Sequence, residues 1–315
     1  MMAKYPDFLK KGDEIRIISP SGAIDTQFID GAKSQLANWG YLPTEGMFTR
    51  KKYGRFAGTE QERYTDLQQA LDNPKVKAIL CSRGGYGLSQ FIDRIDFTAF
   101  RKNPKWIIGF SDVTVLHQAL HRKTDHISLH SPMAKDITEL SEKTEPLKLL
   151  NNVLQGKIST YTVDTDQHNR EGSAKGKLVG GNLTTLINMR ATPFDWEYEN
   201  AILFIEDVGE EPYKIDRMMQ NLRLSGVLGK IAGLIVGQFT GTEEDDQMNA
   251  TIYQSIANAV KEYDYPVCFN FLAGHIENNL PLLMGATATL NVESKESKLS
   301  FQTTFWKKAS KVFKA

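Results

Sequence analysis

Lys105–Leu120 reads KWIIGFSDVTVLHQAL. Trp106–Ile108 is an apolar run of short-strand length, Gly109 breaks it, and Val113, Leu116 and Leu120 then recur at helical spacing. A strand that turns directly into a helix is half of a β-α unit. The residue at the turn, Ser111, is either the N-cap of that helix or a nucleophile held at a sharp bend. The G-x-S-x-G form of such a bend is half met, because Gly109 fits and Val113 stands where the second glycine belongs.

The same alternation extends upstream. EIRIISP (14–20) reads as a buried strand followed by a helical stretch over Phe28–Trp39. TEQERYTDLQQALDN (59–73) opens with a capping box, Thr59 with Glu62, and VKAILCS (76–82) is a further strand that ends in RGGYG. Repeated units of this kind predict a doubly wound parallel sheet with helices on both faces, over a first domain at 1–158. Ligands of such sheets bind beyond the carboxyl ends of the strands, which gathers Ser19–Gly22, Arg83–Gly87 and Phe110–Asp112 on one rim. The polar stretch TVDTDQHNREGSAKG (162–176) reads as a linker. The remainder, 159–315, is a mixed α/β domain that closes in an antiparallel hairpin over GATATLNVESKESKLSFQ.

The 315 residues are 41% hydrophobic and 24% charged with zero formal net charge, a soluble globular profile that gives no reason for a nucleic-acid partner. No apolar run reaches the ~20 residues of a membrane span, and the first residues lack the apolar core of a signal peptide. The basic tail FWKKASKVFKA (305–315) reads as a terminal helix docked on its own domain. Cys81 and Cys268 lie in apolar runs, as expected of buried thiols in a reducing compartment.

A serine nucleophile needs a base and an orienting acid. His117, His121, His126 and His130 are close in sequence but carry no H-E-x-x-H glutamate, and His168 falls in the polar linker. His275 differs, following an apolar run and a glycine in FNFLAGHIENNLPLLMG. Glu206 and Asp207 end the apolar run AILFI, where a carboxylate partly withdrawn from water needs a hydrogen-bond partner. The glycines of CSRGGYGLSQ let backbone N–H groups approach an anion, and Arg83 among them can meet a carboxylate.

Taken together, RFAGT, RGGYG, GFSDVT, GGNLTTL, ILFIEDVGEEPYKIDRMMQNLRLSGVL and GHIENNLPLLMGA resemble the LD-carboxypeptidases, in the family's order over nearly the whole chain. The resemblance implies an N-terminal doubly wound domain and a C-terminal swivelling β/β/α domain with the active site between them. It further implies a Ser111–His275–Glu206 triad, an oxyanion hole from the N–H groups of Gly85 and Asp112, no metal or cofactor, and a cytoplasmic homodimer. Such an enzyme removes the terminal D-Ala of murein tetrapeptides. Arg83 is the candidate for the substrate's free carboxylate, and Asn182 lines the cleft or caps a helix. Arg190–Ala191–Thr192 departs from the family's more apolar stretch ending Gly-Thr. The rival within the superfamily is an immunity-type peptidase that cleaves a peptidyl- or aminoacyl-nucleotide such as processed microcin C, with Trp196 or Phe194 stacked on adenine. A non-catalytic nucleotide-binding module is a third reading, in which Ser111 is dispensable.

Overall fold

The structure is a computed structural model that describes residues 4–139 and 144–302. The tail from Phe305 lies outside them. Among the described residues, thirteen strands fall in chain order: β1 (Glu14–Ile18), β2 (Leu42–Glu45), β3 (Val76–Cys81), β4 (Trp106–Ile108), β5 (Ser128–His130), β6 (Tyr161–Asp164), β7 (Gly172–Asn182), β8 (Ile202–Val208), β9 (Gly233–Thr240), β10 (Val267–Cys268), β11 (Leu282–Met284), β12 (Thr287–Val292) and β13 (Glu296–Phe301). Between them lie α1 (Thr26–Asn38), α2 (Glu60–Asp72), α3 (Thr98–Lys102), α4 (Thr114–Thr124), α5 (Ala134–Glu139), α6 (Glu145–Leu154), α7 (Leu183–Asn188), α8 (Pro212–Leu224) and α9 (Ile252–Ala259).

The first sheet runs β2-β1-β3-β4-β5-β11, with β1 to β5 parallel and β11 antiparallel at the edge. Side chains alternate along each strand, so Ile15 and Ile17 enter one core while Ile18 enters the other, and Leu80 and Ile79 divide in the same way. Two buried faces demand helices on both sides, as expected of a doubly wound sheet. The order 2-1-3-4-5 places the topological switch point between β1 and β3, which is where such sheets open a ligand crevice.

The second sheet, β10-β9-β8-β7-β12-β13-β6, is parallel over β10 to β7 and antiparallel beyond. β7 serves both parts: Gly172–Lys177 pairs with β12, and Leu178–Asn182 pairs with β8. The stretch read as a linker is therefore partly strand. β6 alternates Tyr161 and Val163 inward with Thr162 and Asp164 outward, so its half-polar pattern is that of an edge strand. The second half also reaches back into the first: β11 completes the first sheet, and Met189 and Phe194 join a core of the first half. Cys81 and Cys268 are buried and unpaired.

Candidate active site

Ser111 sits at the turn between β4 and α4 with φ +64°, a left-handed conformation rare for a residue with a side chain. A single helical turn, Ser111–Val113, leads into α4, so the cap position falls on Phe110, which makes no side-chain cap bond, and not on Ser111. Glycine makes the bend possible from two sides. A Cβ at Gly109 would stand 2.9 Å from Val113 Cγ2, and one at Gly84 would stand 2.7 Å from Ser111 Oγ. The neighbouring Asp112 turns inward instead. Its Oδ2 accepts bonds from Ser21 Oγ at 2.6 Å and Leu88 N at 3.0 Å, which ties together the loops after β1, β3 and β4. Burial pushes the Asp112 carboxyl above its usual range against these bonds. Arg63 of α2 braces the same rim, donating to the carbonyls of Pro20 and Gly87, both at 3.0 Å.

Glu206 ends the apolar part of β8 and is fully buried. Its Oε2 accepts a hydrogen bond from His275 Nδ1 at 2.8 Å, while Oε1 has no partner among the described residues. Gly274 permits this approach, since a Cβ there would lie 3.0 Å from Glu206 Oε2. Burial alone would depress the His275 imidazole. The charge and hydrogen bond of Glu206, with the charges of Asp207 and Asp136, outweigh that and hold its pKa above the ordinary value. The ring also lies edge-on to Phe110, with centroids 4.8 Å apart. A carboxylate that holds an imidazole by Nδ1 fixes its tautomer and leaves the other nitrogen for proton transfer.

Ser111 and His275 line one cavity of about 140 Å³ together with Arg83, Gly85, Lys135 and Asp136. The backbone N–H groups of Gly85 and Asp112 have no acceptor among the described residues. The strand-end rim thus brings together Ser111, His275, Glu206, Arg83, Gly85 and Asp112. Lys135 and Asp136 were not singled out in the sequence. They follow the carboxyl end of β5, the rim position where the strand-end rule also points.

Three residues fall elsewhere. Asn182 is the N-cap of α7: its Oδ1 accepts from Thr185 N at 3.0 Å and its Nδ2 donates to Asp207 Oδ1 at 2.8 Å. Trp196 is buried against His121 of α4, with ring centroids 5.1 Å apart, and Phe194 is buried under Lys123. The four clustered histidines are bedded separately, His117 on the Gly109 carbonyl, His121 by Lys177, His126 on the Thr124 carbonyl and His130 by Asn279. Among the described residues no group of three or more His, Cys, Asp or Glu side chains is placed to hold a metal ion.

The chain has relatives among known proteins. Residues 15–131 match the LD-carboxypeptidase N-terminal domain and residues 175–290 the C-terminal domain of the same family. A probable murein peptide carboxypeptidase of Bacillus subtilis is 33% identical, over 92% of this chain and 92% of its own. Among solved structures, a muramoyltetrapeptide carboxypeptidase from Oxalobacter formigenes has a TM-score of 0.83 and 28% identity, covering 92% of this chain and 99% of that one. A microcin C7 self-immunity protein shares the fold, with a TM-score of 0.84 at 22% identity over 96% of this chain and 99% of that one. With both domains matched in order, the chain belongs to the LD-carboxypeptidase family and is a serine-type carboxypeptidase.

Proposed function

We propose that the protein hydrolyses the bond to the terminal D-alanine of murein tetrapeptides through a Ser111–His275–Glu206 triad. The observation that carries this reading is the Glu206–His275 hydrogen bond of 2.8 Å behind a cavity that Ser111 and His275 line together. Ser111 Oγ attacks the carbonyl carbon of the residue before D-alanine while His275 Nε2 takes its proton. The developing oxyanion is received by the N–H groups of Gly85 and Asp112. His275 then returns the proton to the departing amine, and water activated by the same imidazole releases the peptide from Ser111. The names of the Bacillus and Oxalobacter relatives support a murein peptide as the acyl donor.

Because the leaving amine must take its proton from His275, D-alanine lies on the His275 side. A cavity of about 310 Å³ opens there, lined by Lys135, Asp136, Glu139, His275 and Ile276. Lys135, shared with the Ser111 cavity, receives the free carboxylate, and Arg83 faces the acyl portion instead. The buried, unpaired thiols Cys81 and Cys268 fit a reducing compartment and support a cytoplasmic reaction on recovered wall fragments. With Trp196 and Phe194 buried, neither ring is offered to an adenine.

The test is release of D-alanine from L-Ala-γ-D-Glu-L-Lys-D-Ala and its meso-diaminopimelate counterpart, followed by mass spectrometry. Wild type is expected to release D-alanine with chelator present, and Ser111→Ala to release none. No release by wild type from either peptide overturns the reading.

A further inference from the structure

One buried ring outside the triad, that of His130, reaches the chain just before each of its members. His130 ends β5 and packs against Phe110, with ring centroids 5.5 Å apart, and edge-on to Phe204 at 5.1 Å. Phe110 immediately precedes Ser111, and Phe204 lies two residues before Glu206 on β8.

The third link runs through Asn279, which is also buried. His130 Nε2 lies 3.2 Å from Asn279 Oδ1, and the same oxygen accepts from Gly274 N at 3.0 Å, one residue before His275. His275 stands in the loop Leu272–Leu280, closed at its base where Leu280 N donates to the Leu272 carbonyl at 2.9 Å. Asn279 ties that loop a second time and fastens it to β5. Gly274 has φ +127°, so its backbone is set by such bonds and not by a side chain of its own.

The bonds also fix the chemistry of the pair. Gly274 N–H needs an acceptor, so Asn279 presents Oδ1 to it and to His130. His130 Nε2 then carries the ring hydrogen, and burial, which lowers the imidazole to about 3, keeps the ring neutral. His130 Nδ1 and Asn279 Nδ2 have no partner among the described residues. Two open polar atoms in the interior cost stability, and apolar side chains of the same shape would not incur that cost. As packing alone the pair is a poor choice; as a tie between two loops it is specific.

We propose that His130 and Asn279 are positioning residues, which hold the Ser111 turn and the His275 loop at the separation that proton transfer needs. The inference rests on the proposed triad. His130 acts through Phe110 and Asn279, and Asn279 acts through Gly274. Asn279 also lines the cavity on the His275 side, so direct contact with the leaving D-alanine is the competing role. A contact of that kind shows in KM, whereas a displaced base shows in kcat.

Steady-state release of D-alanine from the tetrapeptide tests this in His130→Leu, Asn279→Ala, the double variant and His130→Gln, with folding checked by circular dichroism. Each single loss is expected to lower kcat by about 10² with KM within about twofold of wild type. The double variant is expected to be no slower than the worse single, because both changes cut one tie. His130→Gln keeps a donor at the Nε2 position and is expected to recover kcat to within about fivefold of wild type. Should His130→Leu not fold, the kcat loss in Asn279→Ala and the recovery in His130→Gln decide the matter. Unchanged kcat, a loss carried by KM, a double variant slowed by the product of about 10⁴, or His130→Gln no faster than His130→Leu overturns the assignment.

A second measurement needs no peptide. The rate at which a small fluorophosphonate labels Ser111, with loss of fluoride, is followed by intact mass and is expected to fall by the same factors. Wild type that is labelled but releases no D-alanine fails the carboxypeptidase reading alone, and the labelling rates of the variants then decide the positioning role. Wild type that neither releases D-alanine nor is labelled overturns both.

Discussion

Glu206 Oε2 accepts the His275 Nδ1 hydrogen at 2.8 Å with its carboxylate fully buried, and its other oxygen has no partner among the described residues. A buried charge held by one bond is costly for stability alone. It is useful if the imidazole must become charged during turnover, because the carboxylate then stabilises the imidazolium.

Glu206→Gln keeps the shape and removes the charge. Turnover of the tetrapeptide is expected to fall by about 10⁴ through kcat, with the fold retained by circular dichroism. The pH profile carries the sharper signature. His275 acts as a base only when neutral, so wild-type activity rises with pH through a pKa held above the ordinary value. Without Glu206 the main remaining influence is burial, which depresses the imidazole, so the acid limb moves to lower pH in the variant. A limb that does not move sinks the assignment of Glu206 as the orienting acid. The same coupling stabilises the fold below the ordinary histidine pKa, and that contribution is lost as pH rises through the raised value.

Ser111 at φ +64° predicts an ordering of stabilities. Ser111→Ala and Ser111→Gly are both expected to abolish turnover, but only glycine adopts this conformation freely. Ser111→Gly is expected to exceed Ser111→Ala by about 1 kcal/mol in urea unfolding. Equal midpoints would mean that the turn relaxes when the hydroxyl is removed.

Gly84 and Gly180 separate site geometry from fold. A Cβ at Gly84 would stand 2.6 Å from Ser111 Cβ, whereas one at Gly180 would stand 1.9 Å from the Phe204 carbonyl oxygen. Gly84→Ala therefore displaces Ser111 and is expected to cost about 10²-fold or more in kcat with a modest change in Tm. Gly180→Ala forces β7 from β8 and costs about 3 kcal/mol or more of stability. A Gly84→Ala enzyme with wild-type kcat would remove Ser111 from the reaction.

How far these features were legible depends on how local their causes are. The strands β1, β3 and β4 and the capping box of α2 are written in short stretches, and Thr59 and Glu62 form the reciprocal bonds their spacing predicts. β6 and the start of β7 read as linker because each buries only one polar-interleaved face. The return of β11 to the first sheet rests on three residues paired with a strand about 150 positions earlier, and no local pattern encodes that. At the site, Ser111 follows β4, Glu206 lies near the end of β8 and His275 falls in the loop between β10 and β11, and at all three pattern and resemblance point to the same residues. Lys135 carries no motif, and only the folded rim brings it to the cavity. Trp196 was open to a stacking role in the sequence. In the fold its indole is buried beside His121, where apolar burial outweighs exposure to a ligand.

Three buried histidines of α4 and β5 predict a pH-dependent stability. His117, His121 and His130 are buried, and burial lowers them to about 4, about 4 and about 3. A base whose folded pKa is depressed contributes stability that is present above its unfolded value, near 6.5, and lost as pH falls towards the folded one. Urea midpoints are therefore expected to hold near neutrality and drop between about pH 6.5 and 4, steeply because three sites share the window. Carboxylates protonate over part of that range, so a single-site variant isolates the histidine share. His117 touches the Gly109 carbonyl through Nε2 at 2.9 Å, a contact that a glutamine amide can reproduce. His117→Gln should therefore keep most of the neutral-pH stability while flattening the fall below pH 6.5. A variant curve parallel to wild type would show that His117 is not held neutral by its burial, and that the acid sensitivity belongs to other groups.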